Sequence, residues 1–148
     1  MPGRSRAGGR IDYRSVRGSL GPRREFKITL GLRAGYGPAG KVYDIEEAVR
    51  AAHDWMMRRA RRKETFLTGM FTRGEILYAR SSRQSDREPV AIFSGEALPL
   101  TARKLDDATI EALLDELAVA MARALDQEEV FISYRDRTWT LRRPKGRA

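Results

Sequence analysis

The chain has 148 residues, 41% of them hydrophobic, a formal net charge of +9 and no cysteine. That length suits one domain with a single core, and the absence of cysteine excludes a disulfide framework, a thiolate metal site and a cysteine nucleophile. No apolar run approaches the ~20 residues that span a bilayer, and the first residues are Arg- and Gly-rich, so a soluble cytoplasmic protein with no membrane partner is expected.

The charge is unevenly spread. Residues 1–24 carry Arg4, Arg6, Arg10, Arg14, Arg17, Arg23 and Arg24 against Asp12 alone, a net +6. Residues 142–148 carry Arg142, Arg143, Lys145 and Arg147 with no acid, a net +4, which leaves −1 for residues 25–141. Residues 1–24 are also rich in Gly and Ser and hold few apolar side chains. The expected organisation is therefore a disordered basic arm over 1–24, an α/β domain over 25–141 and a basic tail over 142–148.

From Phe26 the pattern alternates, with Phe26, Ile28, Leu30 and Leu32 on one face and Lys27, Thr29, Gly31 and Arg33 on the other, which predicts a half-buried strand. A Gly- and Pro-containing loop follows to about Tyr43. Asp44 with Glu47 three residues on predicts a helix start, and Ile45, Ala48, Val49, Ala52, Trp55 and Met56 recur at helical spacing. The helix ends in a second basic cluster, Arg58, Arg59, Arg61, Arg62 and Lys63, more cations than a helix dipole requires. Residues 65–71 and 75–79 read as two strands joined by a turn at Thr72-Arg73-Gly74, and residues 80–88 as an exposed loop. Pro89 opens a strand over Val90–Gly95. Asp106 or Asp107 caps a second helix with an apolar stripe from Ile110 to Leu125. Strands at Val130–Tyr134 and Thr138–Leu141, with a turn at Asp136-Arg137, complete the chain.

The element order is β-α-β-β repeated twice. It predicts an α+β domain, ferredoxin-like or tautomerase-like, with one mixed sheet and both helices on one face. The other face would expose apolar residues, among them Phe93, Phe131 and Trp139, so a homo-oligomer, such as a trimer, is expected to cover it.

The segment Glu88-Pro89-Val90-Ala91-Ile92, the helix from Ile110 to Leu125 and Glu129-Val130-Phe131-Ile132-Ser133-Tyr134-Arg135-Asp136 resemble the tautomerase superfamily that includes macrophage migration inhibitory factor. The repeated β-α-β pattern over Phe26 to Leu141 is similar to it as well. The resemblance implies a homotrimer whose sheets surround a central barrel. It also implies an amino-terminal proline base at the start of the first strand. Here Pro2 precedes a basic arm and the strand starts at Phe26, so the family's reaction does not carry over.

Candidate sites follow from these elements. The loop Gly35-Tyr36-Gly37-Pro38-Ala39-Gly40-Lys41 matches two phosphate-loop patterns, but Val42 stands where a magnesium-binding Ser or Thr belongs and Pro38 removes a donor, so a plain loop is expected, with Lys41 able to touch a phosphate. His53, the one histidine, cannot build a metal site alone. Glu96, at the end of an apolar strand, is the carboxylate singled out for a pocket shared with Lys27 and Lys41. Tyr36, Tyr134 and Trp139, near Arg33, Arg135 and Arg137, are candidates for stacking on bases.

No catalytic set, cofactor or metal site is assignable from these residues. The leading expectation is a non-catalytic scaffold that holds nucleic acid or another polyanion. Its contacts would come from the arm arginines, the Arg58 to Lys63 cluster, Arg142, Arg143 and Lys145, because each neutralised phosphate releases counterions. The alternatives are a tautomerase-like oligomer that binds or turns over a small molecule near Phe26, Lys27 and Glu96, and a structural part of a larger assembly.

Overall fold

A computed structural model describes residues 12–35 and 39–145. Strand β1 (Glu25–Gly31) forms as the alternation predicts: Phe26, Ile28 and Leu30 are buried and Lys27 faces out. It is the central strand, paired on one side with β3 (Ser85–Glu96) and on the other with β4 (Glu129–Tyr134). Strands β2 (Met70–Ala79) and β5 (Arg137–Arg142) form the two edges, so the order is β2-β3-β1-β4-β5.

The α+β class is present, but the sheet is not mixed. Every ladder is antiparallel. Helix α1 (Ile45–Arg61) does carry the chain from β1 to a strand of the same direction, yet β3 lies between them. Helix α3 (Asp107–Ala124) likewise joins β3 to β4 with β1 between them. This interleaving of two β-α-β crossovers is the split arrangement of ferredoxin-like domains, here with β5 added at one edge. Crossover direction can be read from the chain, but which strand inserts between the pair depends on long-range pairing.

Both helices start where their caps predict. Asp44 and Glu47 form a capping box at α1, and Asp106 Oδ1 accepts from the Thr109 N–H at 2.8 Å at α3. The helices share one core with one face of the sheet, where Ile28 sits in register between Phe93 and Ile132. Trp55 Nε1 donates to Glu116 Oε1 at 3.0 Å, tying α1 to α3.

Two further expectations change. The turn at Thr72 to Gly74 does not exist: these residues lie inside one strand, and the hairpin closes instead at residues 80–84, where the Arg80 N–H donates to Gln84 O at 2.8 Å. Ser85 to Glu88, read as loop, pairs across from Ala79 to Ile76, because a ladder satisfies backbone groups whatever the side-chain polarity. The second change concerns the face opposite the helices. Of the apolar residues assigned to it, Phe93 is in the core and Trp139 packs against the core with Nε1 donating to Asp115 Oδ1 at 2.7 Å. Phe131 alone of the three is exposed there, at 46%.

Ahead of β1 the described residues 12–24 contain no helix or strand, yet their end is tied to the domain. Arg24 donates to Ala102 O and Leu105 O, at 2.9 and 2.7 Å, around the short helix α2 (Pro99–Ala102), and Arg103 donates to Gly18 O at 3.1 Å. No helix among the described residues is long and apolar enough to cross a membrane.

Candidate functional site

A polar cavity lies at the end of β1 on the helix-free side, with a volume of about 250 Å³. Three separate segments build it: the end of β1 with Arg33 beyond it, the overhanging β2–β3 hairpin, and residues 127–131 after α3. Ile76, Tyr78 and Phe131 form apolar and aromatic walls, all partly exposed, and Glu88, Gln127 and Arg33 supply the polar groups.

Gly31 is the pivot of this cavity. In register opposite Val90, it has no side chain to fill the space above the strand. A Cβ there would lie 2.6 Å from Glu88 Oε1 and 2.6 Å from Gln127 Oε1, so two acceptors from distant segments converge on one point. Gln127 is held in this orientation from below: its Nε2 donates to Arg33 O at 2.9 Å and to Leu125 O at 3.0 Å. Both amide hydrogens are thereby used, and the amide oxygen is left to face the cavity.

Arg33 supplies the opposite charge. Its backbone is fixed by the bridge to Val42 and by the bond from Gln127, while its Nε is buried and has no hydrogen-bond partner among the described residues. An orphaned guanidinium donor in a cavity wall is costly unless a ligand meets it. Glu129 and Glu128, also in the lining, are turned toward the tail: Glu129 Oε1 accepts from Arg142 Nε at 2.8 Å and Glu128 lies 3.8 Å from Arg143.

A second polar cluster joins the start of α3 to the β4–β5 turn. Tyr134 Oη donates to Asp107 Oδ1 at 2.6 Å, and Arg135 approaches the same carboxylate at 3.3 Å. The bond from Tyr134 holds the Asp107 carboxyl below its ordinary range, while burial, and then the neighbouring carboxylate, push the Tyr134 phenol up to about 12. Tyr134 is 2% exposed, so this cluster is a structural tie. It also removes Tyr134, like the hydrogen-bonded Trp139, from the set of residues able to stack on bases.

The residues singled out in the sequence do not assemble. Lys27 lies on the helix-free face, in a shallow extension of the cavity with Ile76, Phe131 and Thr138. Lys41 sits 4.4 Å above the Tyr43 ring, and Glu96 is at the far end of β3, 3.4 Å from Arg23. His53 is exposed on α1 beside Asp54. Tyr36, Gly37 and Pro38 fall outside the described residues, as do Arg4, Arg6, Arg10 and Arg147. Arg14, Arg17, Arg58, Arg61, Arg62, Lys63 and Lys145 are exposed. The other basic residues are committed to the fold: Arg23 to Glu25, Arg24 to backbone carbonyls, Arg59 to Glu64 and Glu116, Arg142 to Glu129 and Arg143 to Asp126. Among the described residues no group of His, Asp or Glu is placed to hold a metal ion.

As a site residue Arg33 was expected only beside Tyr36, and Glu88, Gln127 and Tyr78 were not expected in a site. Gln127 was the readable signal: an amide directly after an apolar helix stripe, in a stretch where solvent-facing acids would serve as well.

No protein-family model matches the chain, and no curated protein matches it in sequence. Its fold is similar to that of a phage SAM lyase in two solved structures. With the structure in complex with S-methyl-5'-thioadenosine the TM-score is 0.61 at 17% identity, covering 87% of this chain and 97% of that one. With the apo structure the TM-score is 0.63 at 16% identity, covering 90% of this chain and all, 100%, of that one. The expectation of a non-catalytic scaffold that holds polyanions is corrected by this likeness: the frame that carries the cavity is one found in an enzyme, and of the arm residues Arg23, Arg142 and Arg143 pair with carboxylates of the domain.

Proposed function

We propose that the protein is an enzyme that binds S-adenosylmethionine in the cavity around Gly31 and cleaves it as a lyase. The observation that carries the reading is the fold likeness to a SAM lyase over almost the whole length of both chains. The cavity's composition supports it. Phe131 and Tyr78 offer faces for an adenine ring, and Glu88 supplies negative charge for a cationic substrate.

Methylthioadenosine is what remains of S-adenosylmethionine when the bond from sulfur to the amino-acid chain is broken. The electron pair of that bond stays on sulfur, which passes from a sulfonium cation to a neutral thioether. Such a leaving group needs no protonation by the protein. A wall of Ile76 and Phe131 beside the sulfonium favours this step, because positive charge disappears as the bond breaks and an apolar surround destabilises the cation more than the products. The protein's task is then to hold the amino-acid chain so that an oxygen of its own carboxylate bonds to the γ-carbon as the carbon–sulfur bond breaks, closing a five-membered lactone with no atom gained or lost.

A cavity of about 250 Å³ is small for a nucleoside with an amino-acid side chain, since ligand sites run to roughly 300–1,000 Å³. We propose that a second copy of the chain, packed on the helix-free face around Ile76, Tyr78 and Phe131, supplies the missing wall. Incubation of the purified protein with S-adenosylmethionine, followed by chromatography, tests the activity. Methylthioadenosine should accumulate well above a protein-free control. Accumulation no faster than the control would overturn the proposal. Light scattering that shows a monomer would remove the second copy.

A further inference from the structure

Resting on the S-adenosylmethionine reading, we infer that Arg33, Glu88 and Gln127 form a clamp for an α-amino-acid zwitterion, and that this clamp, more than the nucleoside contacts, selects the substrate. The carboxylate is assigned to the Arg33 guanidinium and the ammonium to the paired acceptors of Glu88 and Gln127.

The geometry supports each half separately. Arg33 presents a buried Nε with no partner among the described residues, and a guanidinium is suited to a two-pronged carboxylate. Glu88 Oε1 and Gln127 Oε1 each lie 2.6 Å from the point a Gly31 side chain would occupy. A donor seated just above that point reaches both oxygens at ordinary hydrogen-bond length. An ammonium has three donors and no acceptor, so it suits one carboxylate plus one amide oxygen, and its positive charge offsets that of Glu88.

The two halves are also mechanically joined. Gln127 Nε2 donates to the carbonyl of Arg33, so the residue that presents an acceptor to the ammonium also positions the backbone carrying the carboxylate's partner. The separation between the two charges is therefore set by protein hydrogen bonds rather than by the ligand. Gly31 is part of the device, because any side chain there would occupy the ammonium's place.

The test uses two stable ligands. S-adenosylhomocysteine carries the zwitterion and has no sulfonium to cleave, and methylthioadenosine carries the same nucleoside without the zwitterion. Titration calorimetry on the full chain should show S-adenosylhomocysteine bound at least about tenfold more tightly than methylthioadenosine. Arg33→Gln should abolish that preference while leaving methylthioadenosine affinity within about twofold, and Arg33→Lys should recover part of it. Should neither ligand bind the wild-type chain, the S-adenosylmethionine reading itself falls. If methylthioadenosine binds but the two ligands bind equally, or if Arg33→Gln keeps the preference, the clamp is wrong and the nucleoside reading stands. Should Arg33→Gln fail to fold, Glu88→Gln, a change on a half-buried side chain, gives the same reading through the ammonium half.

Discussion

Replacing Gly31 by alanine separates the cavity from the fold. Gly31 does not have a positive φ, so the backbone accepts alanine, and removing a strand glycine favours folding by about 0.5–1 kcal/mol. Against this stands the new methyl group, 2.6 Å from Glu88 Oε1 and from Gln127 Oε1. The Glu88 carboxylate has no hydrogen-bond or ion-pair partner among the described residues and can rotate away at little cost. Gln127 is pinned by two hydrogen bonds, each worth about 1 kcal/mol, so displacing it costs roughly 1–2 kcal/mol. The balance is a stability change within about 1–2 kcal/mol, a shift of a few degrees in melting temperature. Ligand binding should fall much further. Loss of one charge-assisted bond to the ammonium costs about 1.5–3 kcal/mol, or roughly ten- to hundredfold in affinity for S-adenosylhomocysteine. Thermal melting and calorimetry on the same preparation check both numbers. A Gly31→Ala chain that melts normally and binds S-adenosylhomocysteine like the wild type would refute the placement of the ligand above Gly31.

The Tyr134–Asp107 tie should show at both ends of the pH scale. With its phenol raised to about 12 from an ordinary 10.0, Tyr134 favours the folded state fully below pH 10.0, and that contribution is lost as pH rises through 12. The Asp107 carboxyl is lowered, so its contribution is complete above its ordinary value of 3.8 and is lost as pH falls below it. Melting temperatures of Tyr134→Phe should accordingly lie closest to the wild type at the two extremes and furthest below it near neutrality; a constant offset across pH would disprove the linkage. Arg24→Met should lower stability by about 1–3 kcal/mol, because it removes the side-chain donor to Leu105 O and one of the two donors to Ala102 O, which keeps the Leu105 N–H. Urea unfolding measures this, and an unchanged midpoint would show that residues 12–24 contribute nothing to the domain.

What could be read from the chain alone was local. The alternation through Phe26 to Leu32, the Asp44–Glu47 capping box and the apolar stripe from Ile110 to Leu125 each depend on neighbours within a few residues, and each element formed where its pattern lies. The division of charge between the ends and the middle was also a property of the sequence. Its meaning was not. Whether Arg142 meets Glu129, or Arg24 meets two carbonyls of the α2 region, depends on which surfaces the fold brings together. The β2–β3 hairpin was misplaced because Gly74 resembles a turn residue, whereas opposite Val90 it is an interior strand residue. The site was least legible of all. Gly31, Arg33, Glu88 and Gln127 come from three distant stretches and carry no motif spacing. They converge because β3 and β4 both pair with β1, which sets the base of the hairpin and the turn after α3 on either side of its end. Element identity follows from short-range periodicity and was settled by the sequence, while strand order and register, which rest on contacts between distant residues, placed the polar groups of the cavity and were decided only by the tertiary structure.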